Sequence, residues 1–133
     1  MRIVCDTNVL VAAIVFAGRP REVLSAVLAR RVRGFLCPAT EQEFRAVLLR
    51  RKFGFTGEQV EQVWEGLRES MEMVFPDRTP SVIPGDTADD AILACAWAAR
   101  ADCIVSGDRH LLRLGSYRHI DIVTPAKFLV RLA

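Results

Sequence analysis

The chain has 133 residues, of which 51% are hydrophobic and 26% are charged, so it can build one substantial domain core. No apolar run reaches the roughly 18 residues that a membrane helix needs, and we expect a soluble, cytoplasmic protein. The net charge of +2 and the pI of about 8.5 permit a nucleic-acid partner but do not demand one.

The cysteines and histidines show no zinc-ligand spacing, and no two cysteines form a C-x-x-C motif. They are Cys5, Cys37, Cys95, Cys103, His110 and His119. All four cysteines lie in apolar stretches, so we expect buried, inert thiols in a reducing compartment rather than a zinc site.

The first third of the chain alternates short apolar runs with helical patterns. Residues 2–5 (RIVC) form a β-branched run typical of a buried strand, and residues 34–38 (GFLCP) predict a second strand. Between them we predict two helices, the first capped by Thr7 or Asn8. Pro38 suits the first turn of a third helix.

The clearest amphipathic helix follows a capping box formed by Thr56 and Gln59. Its apolar positions continue from residue 60 to residue 74. Residues 76–87 are rich in proline and predict a loop, with a short strand at residues 81–83.

The last third of the chain repeats the alternation. It predicts a helix at residues 91–99, strands at 103–106 and 120–123, a turn or short helix at 111–114, and a final helix with Thr124 as its cap and Pro125 at its first position. Strands that alternate with helices predict an α/β fold with a parallel sheet covered on both faces. We find no repeat or linker, and we expect residues 1–133 to form a single domain.

Five acids fall where such a sheet binds ligands, beyond the carboxyl ends of its strands. Asp6 follows the first strand and Asp108 follows the strand at 103–106. Glu43, Asp89 and Asp90 lie near the beginnings of two helices, where side chains point back toward this edge.

Each acid taken alone also has a structural interpretation. Asp6 can cap the first helix, Asp108 can be a turn residue and Glu43 can be a surface glutamate. Asp90 fits a capping box with Thr87, which favours a structural role for it.

Taken together, the acids indicate a metal site. Carboxylates that converge on one pocket repel each other and are costly to desolvate, and Mg²⁺ or Mn²⁺ offsets both effects. Such a site can hydrolyse a phosphodiester with a metal-activated water. Arginines at its rim would hold the flanking phosphates of such a substrate. The candidates are Arg19, Arg21, Arg45, Arg50 and Arg109, although solvated surface charge is the commoner role of a single arginine.

The order and spacing of five short motifs resemble the PIN-domain family, close to its VapC-like members, which are toxins of toxin–antitoxin pairs. The motifs are D-T-N-V-L, E-x-E-F-R-x-V-L, D-x-x-D, A-D-C-I-V-S-G-D and I-V-T-P-A-x-F-L, and they span nearly the whole chain.

The resemblance implies that the four acids of the family correspond to Asp6, Glu43, Asp89 and Asp108. It also implies supporting positions around them. These are Thr7, Asn8, Asp90, which is a possible substitute for Asp89, and Ser106, where the family usually has threonine.

The resemblance further implies a three-layer α/β/α sandwich whose strands follow the order 3-2-1-4-5. It implies a Mg²⁺- or Mn²⁺-dependent ribonuclease, a small antitoxin partner and a homodimer. From the residues we predict that the apolar first helix and the helix over residues 60–74 help to form that dimer.

We weigh three alternatives to the nuclease. A phosphoryl-accepting regulatory domain needs a lysine after a strand, but the only lysines are Lys52 and Lys127, and neither follows a strand end. An aspartate-nucleophile phosphatase needs D-x-D-x-T, and Asn8 stands where its second acid belongs. A non-catalytic module that binds metal or RNA in the same pocket fits the sequence.

Overall fold

A computed structural model describes residues 1–83 and 85–133 of the chain. One sheet lies at the centre of the molecule. Its strands are β1 (Arg2–Cys5), β2 (Arg33–Leu36), β3 (Glu72–Met73), β4 (Cys103–Val105), β5 (Ser116–Tyr117) and β6 (Ile120–Val123). Their spatial order is β3-β2-β1-β4-β6-β5. All neighbours are parallel except β5 and β6. The predicted order of the parallel strands is therefore confirmed, with one short antiparallel edge strand added.

Helices cover both faces of this sheet. They are α1 (Thr7–Val15), α2 (Arg19–Leu28), α3 (Pro38–Leu48), α4 (Gly57–Ser70), α5 (Thr87–Ala98), α6 (Arg109–Leu114) and α7 (Pro125–Leu132), with a 3₁₀ turn at Arg51–Phe53. Side chains alternate across each strand, so Ile3 and Cys5 face one core and Val4 faces the other. Helices α1–α4 and α7 pack on the first core, and α5 and α6 pack on the second. The predicted three-layer sandwich is confirmed.

The third strand is not where the sequence pattern placed it. Residues 81–83 contain no strand, and the neighbouring Pro84 lies outside the described residues. Helix α4 instead ends at Ser70, and the chain passes directly into β3 beside β2. Met71 and Val74, which flank this two-residue strand, continue the helical spacing in the sequence and conceal the change of structure.

The two helices predicted to form a dimer bury their apolar faces inside the chain. Val9, Leu10 and Val11 of α1 and Trp64 and Leu67 of α4 are all buried in the first core. These faces are therefore not available to a second copy.

All four cysteines are buried and not disulfide-bonded, as the sequence predicts. Two of them influence each other. A hydrogen bond with Cys95 is the main cause that lowers the pKa of Cys37 to about 6, and the same contact raises the pKa of Cys95. Within residues 1–83 and 85–133, no helix is both long and apolar enough to cross a membrane.

Candidate active site

Asp6 lies at the carboxyl end of β1 and is itself the cap of α1, in place of the predicted Thr7 or Asn8. Its Oδ1 accepts a hydrogen bond from Val9 N at 2.9 Å. Its backbone N–H donates to Val105 O in the neighbouring strand at 3.0 Å, which fixes the residue at the sheet edge. A carboxylate has about four lone-pair sites, so capping leaves Asp6 able to bind a cation.

Ser106 joins Asp6 to Asp108. Its side chain is fully buried, and its hydroxyl donates to Asp6 Oδ2 and accepts from Asp108 N, the latter at 2.9 Å. Asp108 caps α6, because its Oδ1 accepts from His110 N at 2.8 Å and from Leu111 N at 3.1 Å. The ends of β1 and β4 therefore hold two carboxylates in fixed positions.

The acids at the beginning of α5 have three different roles. Asp86 is the cap of this helix and accepts from Asp89 N at 3.0 Å, so the predicted capping box of Thr87 and Asp90 is wrong. Asp90 Oδ1 instead accepts from Val82 N and Ile83 N, both at 3.0 Å. It ties the preceding loop to α5 and does not line the acid pocket described below.

The structure brings the other four predicted acids together. Asp6, Glu43, Asp89 and Asp108 line one pocket of about 20 Å³, together with Thr7, Asn8, Ala88 and Ile92. That volume suits about one water molecule or ion. No lysine or arginine of the described chain is among the lining residues.

The electrostatics of this pocket are those of crowded, desolvated carboxylates. Burial, followed by the neighbouring Asp108 and Asp86, raises the pKa of Asp89 to about 8. Burial is also the main cause that raises the pKa of Asp6, and the charges of Asp108 and Glu43 add to it. The pKa of Asp108 is lowered, because burial is outweighed by hydrogen bonds from Asp89, Leu111 and His110.

These residues fit a divalent cation. Asp89 is only 8% exposed, and its Oδ2 is buried without a hydrogen-bond partner among the described residues. Such an orphaned acceptor is costly unless a cation or water satisfies it. The donors of the pocket are carboxylate oxygens, which are the preferred ligands of Mg²⁺ and Mn²⁺.

Two residues near the pocket were not among the sequence candidates. Ligand atoms of Asp86, Asp89, Asp108 and His110 all lie within 4.8 Å of one another. Asp86 is the first acid of D-x-x-D, and this motif is the one signal that could have indicated it. His110 follows Asp108 by two residues, and no histidine spacing in the sequence points to it.

A larger cleft of about 520 Å³ adjoins the acid pocket and shares Asn8 and Asp108 with it. Arg109, His110 and Pro20 also line this cleft.

The five arginines predicted to bind phosphate differ in their position relative to this cleft. Arg109 lines the cleft. Arg21 donates to Ala13 O and Ile14 O at the end of α1, and Arg45 forms ion pairs with Glu41 and Glu61. Both guanidinium groups are therefore engaged within the chain. Arg19 and Arg50 are exposed and do not line the cleft.

A parallel sheet in this order, with carboxylates gathered at its carboxyl edge, defines a nuclease-like α/β fold. The PIN domain family matches residues 2–110, and the chain belongs to this family. No curated protein matches the sequence significantly.

Two solved structures show the same fold. A chain in the crystal structure of VapBC2 from Rickettsia felis, bound to a DNA fragment from their promoter, superposes with a TM-score of 0.63 at 15% identity. The match covers 92% of this chain and 97% of that chain. A chain in the crystal structure of FitAcB from Neisseria gonorrhoeae superposes with a TM-score of 0.56 at 16% identity, covering 93% of this chain and 98% of that chain.

Proposed function

We propose that the protein is a Mg²⁺- or Mn²⁺-dependent ribonuclease and that Asp6, Glu43, Asp89 and Asp108 hold its cation. The observation that carries this proposal is the pocket that the four carboxylates share, in which Asp89 Oδ2 has no partner within the described chain. A divalent cation there would activate a water as nucleophile and stabilise the oxygen that leaves the phosphodiester.

The residues of the chain supply position and charge. Ser106 orients Asp6, and the caps of α1 and α6 fix Asp6 and Asp108. Arg109 at the wall of the cleft would contact a phosphate of the RNA that flanks the cleaved bond. Rigid positioning of this kind is what a hydrolytic site requires.

We also propose a toxin role with a small antitoxin as partner, and residues 1–133 as one PIN domain. Support for the partner comes from the fold, which the chain shares with proteins of the VapBC2 and FitAcB structures. Co-expression with the protein encoded by a neighbouring reading frame, followed by co-purification, tests it. A homodimer stays a prediction, which sedimentation velocity tests at micromolar concentration.

The test of the ribonuclease is cleavage of end-labelled RNA by the purified protein. We expect cleavage with Mg²⁺ or Mn²⁺, none with EDTA, and recovery when the cation is restored in excess. Asp6→Asn should lower the rate about a hundredfold or more, because the site loses several kcal/mol of transition-state stabilisation.

The matched control is Asp77→Asn, which makes the same chemical change at an exposed loop carboxylate. It should cleave like the wild type. RNA that stays intact with every cation would favour a non-catalytic binding module, and cleavage that persists in EDTA would contradict the metal mechanism.

A further inference from the structure

A groove of about 710 Å³ lies between the loop after β3, helix α5 and the turn that joins β5 to β6. It shares no lining residue with the acid pocket or with the cleft at Arg109. We call it the aromatic groove, because three aromatic side chains and two arginines lie on its wall. They are Phe75, Trp97, Tyr117, Arg78 and Arg118. None of these five residues has a role in the proposed function.

We propose that the aromatic groove binds a single-stranded segment of the RNA substrate, with a base stacked on Trp97 and a backbone phosphate on Arg118. The inference rests on the proposed function, since it names a second contact of the same RNA outside the acid pocket. Aromatic rings that stack on bases, combined with arginines, hold single strands in many proteins without reading their sequence.

Two aromatic rings of the groove are left in contact with solvent. Phe75 is 70% exposed and Trp97 is 51% exposed, whereas the other tryptophan, Trp64, is buried in the first core. A ligand that covers such rings gains free energy, because apolar surface leaves water. Ala94 and Ala98 also line the groove, and their small side chains leave room for a flat base beside Trp97.

The turn between β5 and β6 holds Arg118 against these rings in an unfavourable backbone conformation. Tyr117 pairs with Ile120, so Arg118 and His119 form a two-residue turn, with φ angles of 48° and 68°. Such turns favour asparagine and glycine, because other residues resist positive φ. The Cζ atom of Arg118 lies 4.6 Å from the centroid of the Trp97 ring. Backbone strain that presents a charged side chain to an open groove points to a binding role.

The positive charge of the groove is available to a ligand. Within residues 1–83 and 85–133, Arg78 and Arg118 form no ion pair, unlike Arg45. Asp77 is the one carboxylate among the described lining residues, so the two arginines leave the groove positively charged. Since Asp77 repels phosphates, the backbone of the strand lies on the Arg118 side and Asp77 makes no contact with RNA. Positive charge beside stackable rings fits a polyanion with planar bases better than an apolar peptide.

Helix α5 connects the aromatic groove to the acid pocket. Asp89 lies in its first turn and Trp97 in its last, eight residues further on, which is about 12 Å along the helix axis. At a stacked spacing of about 3.4 Å, about three or four nucleotides bridge that distance. One strand can therefore contact the acids and Trp97 together. The strand must be single, because the bases of a duplex already stack on one another.

Binding of a short fluorescein-labelled single-stranded RNA to the full chain in EDTA, which prevents metal-dependent cleavage, tests the proposal. Fluorescence anisotropy measures the affinity. Trp97→Leu should weaken binding about tenfold, because a stacking surface is lost. Trp97→Phe keeps an aromatic ring and should restore most of the affinity.

Arg118→Gly separates RNA binding from folding. Glycine adopts positive φ without strain, so this variant should unfold at a temperature no lower than that of the wild type, while its RNA affinity falls several-fold. Arg30→Gly is the matched control, because Arg30 is also an exposed arginine with a positive φ, of 59°, and does not line the aromatic groove. It should bind RNA like the wild type.

Intrinsic fluorescence locates the bound base. The chain has two tryptophans, and Trp97 is the exposed one. Single-stranded RNA should quench the emission of the wild type, and a duplex that contains the same strand should not. In Trp97→Phe, where only the buried Trp64 emits, RNA should leave the emission unchanged.

Three results would overturn the proposal. One is wild-type RNA affinity in either Trp97→Leu or Arg118→Gly, and another is quenching that persists in Trp97→Phe. The third is unchanged RNA affinity in Trp97→Leu with loss of self-association in sedimentation, which would assign the aromatic groove to a second copy of the chain.

The two proposals fail in different ways. RNA binding that depends on Trp97, without cleavage in any metal, would remove the ribonuclease and keep the aromatic groove as an RNA site. RNA cleavage by the wild type, with unchanged RNA affinity in Trp97→Leu, would remove the role of the aromatic groove and keep the ribonuclease.

Discussion

Ser106 donates a hydrogen bond to Asp6, although 100 residues separate the two in the chain. The contact exists because β1 and β4 are parallel neighbours that end at the same edge of the sheet. The same hydroxyl accepts from Asp108 N, so one buried side chain fixes two of the four acids.

Removal of that hydroxyl should damage catalysis more than folding. Ser106→Ala is expected to lower the RNA cleavage rate about 10- to 100-fold, the usual effect of losing a group that orients a metal ligand. The hydrogen bond also lowers the pKa of Asp6 against its burial, so the acidic limb of the pH–rate profile should move to higher pH. Ser106→Thr keeps the hydroxyl and should restore most of the rate, and an alanine variant as fast as wild type would contradict this role.

The stability of the metal-free protein should depend on pH through Asp89. Its pKa is about 8 in the folded state against an ordinary value of 3.8, so between these values the folded chain binds more protons than the unfolded chain. This contribution to stability is fully present below about pH 4 and is lost as the pH rises to about 8.

Urea unfolding in EDTA at a series of pH values measures this dependence. Asp89→Asn should abolish most of it, and Asp77→Asn should leave it intact. Because cation binding displaces the Asp89 proton, Mn²⁺ should stabilise the wild type more at pH 8 than at pH 6. A stability that rises with pH between 5 and 8 in EDTA, and equally so in Asp89→Asn, would refute the assignment.

The adjacent acids Asp89 and Asp90 should give opposite phenotypes. Asp90→Ala leaves Val82 N and Ile83 N without their acceptor and should cost about 1–3 kcal/mol of unfolding free energy. Folded Asp90→Ala should still bind Mn²⁺. Asp89→Ala should lose Mn²⁺ binding without that cost. Denaturation and metal titration of the two variants in parallel separate the roles, and an exchange of the phenotypes would show that Asp90 is the ligand.

Two arginines should differ in the salt dependence of RNA binding. Arg109 lines the cleft, so Arg109→Ala should raise the KM for RNA. It should also reduce the magnitude of the slope of log RNA affinity against log salt concentration by about the contribution of one phosphate contact. Arg45 is ion-paired with Glu41 and Glu61, and Arg45→Ala should leave the slope unchanged. RNA-binding titrations at several salt concentrations measure both, and equal slopes for the two variants would contradict the placement of the substrate.

Strong local patterns predict the sheet and place five acids near its carboxyl edge, and the resemblance to the PIN-domain family singles out four of them. Apolar strands such as residues 2–5 must be buried, and an acid that directly follows such a strand lies at the edge of the sheet. The capping box at Thr56 and Gln59 and the cap at Thr124 are confirmed for the same reason, since each depends on neighbouring residues.

The features that the sequence does not reveal depend on long-range geometry. Asp86 and His110 are 24 residues apart and meet only because α5 and α6 begin at the same edge. From the sequence, Arg21 is a candidate for binding a substrate phosphate. In the structure its guanidinium group instead donates hydrogen bonds to two backbone carbonyl groups at the end of α1. Asp90 fits a capping pattern, yet the preceding loop supplies its partners.

The central claim is that the four carboxylates hold a divalent cation, and anomalous diffraction from crystals grown with Mn²⁺ tests it most directly. The account predicts a strong manganese peak in the pocket formed by Asp6, Glu43, Asp89 and Asp108, in contact with their carboxylate oxygens, and its loss in crystals of Asp6→Asn. Crystals at saturating Mn²⁺ that keep the acids in place but show no peak among them would contradict the account.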